Sequence, residues 1–161
     1  MEILANYHPL IIHFPIVLFL LYILFEFISL FSTNKIVYNI ANLILFLGVL
    51  AGIAAVLTGN QAAEVAMRSN IGNTKWLEEL IDKHEQYATI TVWYFAIILT
   101  VRYFLTIKKK FTLKLKITFV ILAIVGSIFV FETGEHGGDL VYEHGVGTSL
   151  FQQSLQNSNS K

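Results

Sequence analysis

The sequence predicts an all-α fold: a four-transmembrane-helix antiparallel bundle with an outer-face loop or short helix and a glycine-rich C-terminal cap. Three observations predict it. Of the 161 residues 55% are hydrophobic and only 14% charged, where a soluble domain carries about a quarter charged residues. Four apolar runs each come close to the roughly 20 residues that a helix needs to cross a bilayer. Two of the three connections between these runs are short and lysine-rich, which makes the runs they join antiparallel neighbours.

The first span, about 10–31, is interrupted by His13, Pro15 and Glu26. It is too long for a signal-peptide core and lacks a basic start, so it reads as a retained helix. Pro9 fits the first helical position, after His8, and Pro15 cannot donate to the Ile11 carbonyl, so the helix bends or is delayed around His13. The second span, about 36–58, carries Gly48-x-x-x-Gly52 followed by Ala55 and Gly59. Such a small-residue stripe suits close helix packing or leaves room for a flat cofactor.

The long connection, Gly59 to Lys83, reads as a short helix near Ala62 to Met67, a turn at Ser69 to Asn73, and a second helix from about Thr74. That helix runs on into the third span, about 88–107. Leu77, Leu80, Ile81, His84 and Ala88 recur at helical spacing, which turns His84 toward the protein. The fourth span covers about 113–131. Beyond it lie Gly134, Gly137, Gly138, Gly145 and Gly147, with Glu-His-Gly at 135–137 and again at 143–145. Glycines permit tight turns and close backbone approach, so this segment is expected to fold back over the outer mouth, with Leu140, Val141 and Tyr142 packing down. The membrane domain thus covers 1–148, and the Ser/Gln/Asn-rich 149–161 is a flexible polar tail.

Charge sets the orientation. Lys35, Lys108, Lys109, Lys110, Lys114 and Lys116 flank the two short turns with no acidic residue among them, the positive-inside pattern of a cytoplasmic side. Both termini and the long middle connection then lie on the outer side of the membrane. Glu26 and Arg102 lie within spans one and three at matched depth and with opposite sign, as an ion pair would, unless both snorkel to the headgroups.

Composition also excludes function classes. Eleven basic and eleven acidic residues leave no net charge, which argues against nucleic acid as a partner. Without cysteine there are no disulfides, thiolate metal sites, iron–sulfur clusters, covalent c-type haem or cysteine nucleophiles. The chain has no phosphate-binding glycine loop, nucleophile elbow or His-Glu-x-x-His, so it does not read as an independent enzyme.

The histidines carry the functional signal. His8 and His13 begin span one, His84 precedes span three, and His136 and His144 follow span four. In an up-down-up-down bundle all five share one membrane face by parity, although interfacial polar residues would do the same. If 8–13 is helical, His8 and His13 stand about 140° apart and do not share a metal.

His8-Pro9-x-x-x-His13-Phe14-Pro15, Gly138-x-Leu140-x-Tyr142-x-His144-Gly145-x-Gly147, and a middle Thr58-Gly59 followed later by His84 resemble the bacterial membrane-protein family called domain of unknown function 2231. The resemblance spans about residues 7–148. Its two end motifs are specific and its spans generic. Members are sometimes joined to c-type cytochrome modules, which implies respiratory company.

Three functions are compatible with this. The first is a b-type haem protein that transfers electrons at the outer face, with imidazole axial ligands chosen from His13, His84 and His144 and a pocket walled by Phe14, Tyr87, Trp93 and Tyr94. His8 and His136 are then secondary, toward propionates or a second haem. The second is a haem-free Zn or Cu site, built by three histidines with Glu135, Asp139 or Glu143. The third is a non-catalytic subunit or assembly factor. The expected partners are the lipid bilayer and a periplasmic cytochrome or other respiratory protein.

Overall fold

The computed structural model describes residues 4–69, 75–108 and 112–148. A 3-10 turn, Ala5–Tyr7, leads into α1 (His8–Ile11), α2 (His13–Phe31), α3 (Lys35–Ser69), α4 (Lys75–Ile107) and α5 (Leu113–Tyr142). Among the described residues, four helical stretches are long and apolar enough to cross a membrane, so the chain is a membrane-spanning helical bundle. α2 and α4 each pack against both α3 and α5, which sets the four long helices in a ring with α2 diagonal to α4.

The short connections lie where the lysines and the polar Ser32-Thr33-Asn34 place them. Ser32 leaves the helical region, with φ −107° and ψ 134°, and Asn34 accepts from the Ile36 N–H at the start of α3. Thr112 caps α5 by accepting from Leu115, a standard use of a threonine hydroxyl at an orphan helix terminus. Pro15 acts as its chemistry requires: α1 ends at Ile11, Ile12 forms a turn, and α2 restarts at His13.

Two helices run further than the apolar pattern indicates. α3 continues through Gly59 to Ser69, so there is no separate helix at 62–67. Thr58 stays helical by bonding its hydroxyl back to the Ala54 and Ala55 carbonyls, and the Gln-Ala-Ala-Glu-Val-Ala-Met run that follows consists mostly of good helix formers. α5 likewise continues through Gly134, Gly137 and Gly138 to Tyr142. The expected fold-back cap is therefore replaced by a helical extension. Leu140 is buried with Ala66, Leu77 and Ile81, whereas Val141 is exposed and Tyr142 is 91% exposed. Packing of that apolar cluster outweighs the roughly 1 kcal/mol that each interior glycine costs a helix. The chain turns only at Gly145 and Gly147, both with positive φ, while Val146 donates to the Leu140 carbonyl at 2.8 Å. The turn expected at 69–73 lies, apart from Ser69, outside the described residues, as do Lys109, Lys110 and the tail at 149–161.

The core follows one stripe per helix. On α2 it is Pro15, Phe19, Tyr22, Glu26 and Ser29, and on α4 Thr91, Phe95, Ile98 and Arg102, steps of three and four that keep one helical face inward. Phe19 and Phe95 stack at the centre with ring centroids 4.0 Å apart and planes 11° apart. Gly48 and Gly52 admit this packing, because a Cβ on either would meet Phe19 or Val92. The space above the glycine stripe is thus filled by side chains of the neighbouring helices.

Near the end with the short turns, Arg102 and Glu26 are both 0% exposed. Nη1 of Arg102 donates to Oε1 of Glu26 at 2.6 Å, and its Nε donates to Oδ1 of Asn42 at 2.6 Å. The guanidinium lies 4.3 Å from the centroid of the Tyr38 ring. Both side chains turn inward rather than snorkel. Beside them Lys116 donates to the carbonyls of Ser29 and Ser32, each at 2.8 Å, and so satisfies the open C-terminus of α2.

Candidate functional site

At the opposite end, three of the five histidines converge. His8 leaves α1 toward α3, where its Nδ1 lies 3.1 Å from Oγ1 of Thr58. Its ring occupies the space above Gly59, where a Cβ would come within 3.1 Å of Cε1. His84 leaves α4 toward α5, with Nδ1 3.2 Å from the Thr133 carbonyl oxygen and Cε1 at 2.9 Å from where a Gly137 Cβ would stand. Each imidazole is therefore seated on a glycine and tied to a threonine of the helix beside it.

His8 lies within electrostatic range of His84, and His84 within range of His136. His136 packs its ring 4.7 Å from that of Tyr87. Its Nε2 is buried without a hydrogen-bond partner among the described residues, 4.0 Å from Oε2 of Glu132. Beneath His84, the hydroxyls of Thr91 and Thr133 meet at 2.9 Å and lock α4 to α5.

Nδ1 of His84 faces the Thr133 carbonyl, which can only accept, so Nδ1 is the N–H donor there and, when the ring is neutral, Nε2 keeps its lone pair. At His8 the Thr58 hydroxyl can accept from Nδ1 or donate to it. A carbonyl or hydroxyl acceptor on the far nitrogen is the arrangement that orients metal-binding histidines and raises their basicity.

The other two histidines point elsewhere. His13, a ligand candidate from the sequence, is exposed. It sits two residues from buried Pro15, about 200° round the helix from the core stripe. His144 is exposed beyond the end of α5, its ring 5.2 Å from that of Trp76, in an open groove shared with Leu80 and Lys83. The structure thus leaves His13 and His144 exposed and turns His84 inward together with His8, each against a threonine of a neighbouring helix, while His136 packs on Tyr87. The aromatic pocket is not formed either. Phe14 and Trp93 are exposed, and Tyr94 spends its hydroxyl on the Leu122 carbonyl.

Sequence reasoning passed over Thr133 and the role of Gly137. The signal was present: Thr-Gly occurs at 58–59 and again at 133–134, once for each inward histidine. Among the described residues no group of three or more His and carboxylate side chains is arranged to hold a metal ion.

Residues 5–150 match the model of the family described as "Predicted membrane protein (DUF2231)". The chain belongs to the DUF2231 family. No curated protein and no solved structure matches it. The matched region takes in all five long and short helices of this DUF2231 chain, and with them His8, Thr58, His84 and Thr133.

Proposed function

We propose that this protein binds a b-type haem at the histidine end of the bundle, where His8 and His84 would hold it, and that the bound group would serve electron transfer at that membrane face. The observation that supports this reading is the pair of inward imidazoles, one from each side of the bundle, each seated on a glycine with Nδ1 against a threonine of the neighbouring helix. Two imidazoles are the number a b-type haem would need from the chain, whereas a protein Zn site takes three or four ligands. When bound, haem supplies one-electron chemistry. The chain's own part is to orient His8 through Thr58 and His84 through Thr133, and to let both rings approach their neighbouring helices over Gly59 and Gly137. His136, with its buried unpartnered Nε2, is placed to donate to an acidic group at the same end.

Purified after expression with ample haem, the protein is expected to show a sharp Soret band that shifts on reduction. His8→Ala and His84→Ala should each abolish most of it, while His13→Ala and His144→Ala leave it intact. A colourless protein with stoichiometric zinc or copper would replace haem by a metal site. A colourless protein without metal would leave a structural subunit whose histidines tie helices together.

We place the histidine end in the periplasm of a bacterial inner membrane. Lys35, Lys108, Lys114 and Lys116 lie at the other end, and cytoplasmic connections carry the excess of lysine. Reporter fusions after Thr148 should read as periplasmic and insertions at 108–110 as cytoplasmic. The reverse result would turn the molecule over and put the electron-transfer partner in the cytoplasm.

A further inference from the structure

The residues that meet at the centre of the bundle recur at one spacing. Glu26 and Arg102 are 76 residues apart, and the same step relates His8 to His84, Pro15 to Thr91, Phe19 to Phe95 and Tyr22 to Ile98. Every member of these last three pairs is buried, and Ala5 and Ile81 continue the series as a buried pair. The partner helices follow with a constant shift of their own, 74 (119 less 45), which relates Leu45 to Phe119, Val49 to Ala123 and Gly52 to Gly126, all of them buried.

Contacts repeat along with the positions. Phe19 and Phe95 each turn Cζ toward a glycine of the next helix, 3.7 Å from where a Gly52 Cβ would stand and 2.5 Å from a Gly126 Cβ, and Phe19 also lies over Gly48 at 2.9 Å. His8 covers Gly59 as His84 covers Gly137, one helical turn beyond the place that the shift of 74 gives. The ring in which α2 and α4 are diagonal and each touches α3 and α5 is the ring that a two-fold axis parallel to the helices generates. Such an axis would run between the stacked Phe19 and Phe95 rings.

We infer that the bundle is two copies of one helical hairpin, residues 5–69 and 75–142, whose inner faces form a single self-complementary interface, and that Glu26 and Arg102 are the charge labels that make each copy select the other. An isologous interface brings corresponding residues together at its axis. With identical copies, position 26 would face itself, and two buried like charges would oppose each other. Opposite charges at that position favour the pairing of the two different halves and disfavour pairing of equal halves from two chains.

The flanking residues carry the same label. Asn42 accepts from Arg102, while Lys116 lies within electrostatic range of Glu26. Asn42 and Lys116 are themselves related by the shift of 74, so each charge of the pair has its complement at the corresponding place on α3 or α5.

The test uses full-length chains in detergent. E26R sets two guanidinium groups against each other and should lower the yield of folded, monodisperse protein roughly tenfold or more. E26R/R102E restores opposite charges but leaves the guanidinium at position 26 facing Lys116, so recovery should be partial. E26R/R102E/N42K/K116N moves the whole polar quartet to the corresponding places and should give a higher yield and melting midpoint than both E26R and E26R/R102E, short of wild type because Lys116 no longer meets the Ser29 and Ser32 carbonyls and the guanidinium no longer lies over Tyr38. A quartet variant no better than E26R would overturn the inference. A gentler pair provides a second reading: Phe19→Leu and Phe95→Leu should lower the melting midpoint by the same amount within about twofold, as expected of corresponding sites in one symmetric contact. A loss confined to one of them would overturn it as well.

Discussion

Arg102→Ala is expected to destabilise the protein by about 3–5 kcal/mol, because it strands a carboxylate that no water reaches. Arg102 and Glu26 are both fully buried, and the guanidinium also holds Asn42 and lies over Tyr38. Removing it leaves Glu26 either charged without its closest counter-ion or protonated, and both alternatives cost folding free energy. Denaturant unfolding in detergent measures the loss. Arg102→Lys, which keeps the charge but not the fork that spans Glu26 and Asn42, should lie between. Replacing both partners, as Glu26→Gln with Arg102→Met, should cost less than Arg102→Ala alone, since no charge is then left buried. If Arg102→Ala unfolds at the wild-type midpoint, the pair contributes nothing to stability.

The second large effect is steric. Gly126→Val should cost about 1–3 kcal/mol through overpacking. A Cβ at Gly126 would stand 2.5 Å from Cζ of Phe95, 2.9 Å from its Cε1 and 3.0 Å from Cε1 of Tyr94. Phe95 cannot yield toward the centre because it is stacked on Phe19 there and meets Tyr22 edge-on. Tyr94 is held in place by its bond to the Leu122 carbonyl. Shortening Phe95 to Leu in the Gly126→Val background should recover part of the loss, so that the double variant is more stable than the sum of the two single costs. Strict additivity would mean that the valine is accommodated elsewhere, by movement of α5 as a whole. Circular dichroism melts of the four proteins decide between these outcomes.

Much of this architecture is readable from the chain alone. Hydropathy places the four membrane-crossing helices, because in lipid the backbone has no other way to satisfy its polar groups. The polar Ser32-Thr33-Asn34 and the lysine-rich 108–110 set the short turns. Parity puts all five histidines at one end, and equal depth and opposite sign single out Glu26 and Arg102. Each of these follows from composition, length or charge, which are properties of a segment and need no knowledge of its neighbours.

Rotation about the helix axes is another matter. Ile12 keeps helical angles, φ −59° and ψ −26°, so helical phase sets His8 seven residues before buried Pro15 on the core face and His13 about 200° away from it. Only the tertiary structure shows that this face seats His8 against Thr58 and Gly59 of α3. Likewise, glycines at 134, 137 and 138 are compatible with either a loop or a helix whose face must stay bare. The choice falls to the burial of Leu140 against Ala66, Leu77 and Ile81, and to the ring of His84, which fills the place of a Gly137 side chain. Local sequence determined what each helix is and which end holds its polar residues. Packing between helices decided which of those residues meet, because a contact depends on two rotations and a register that no single segment encodes.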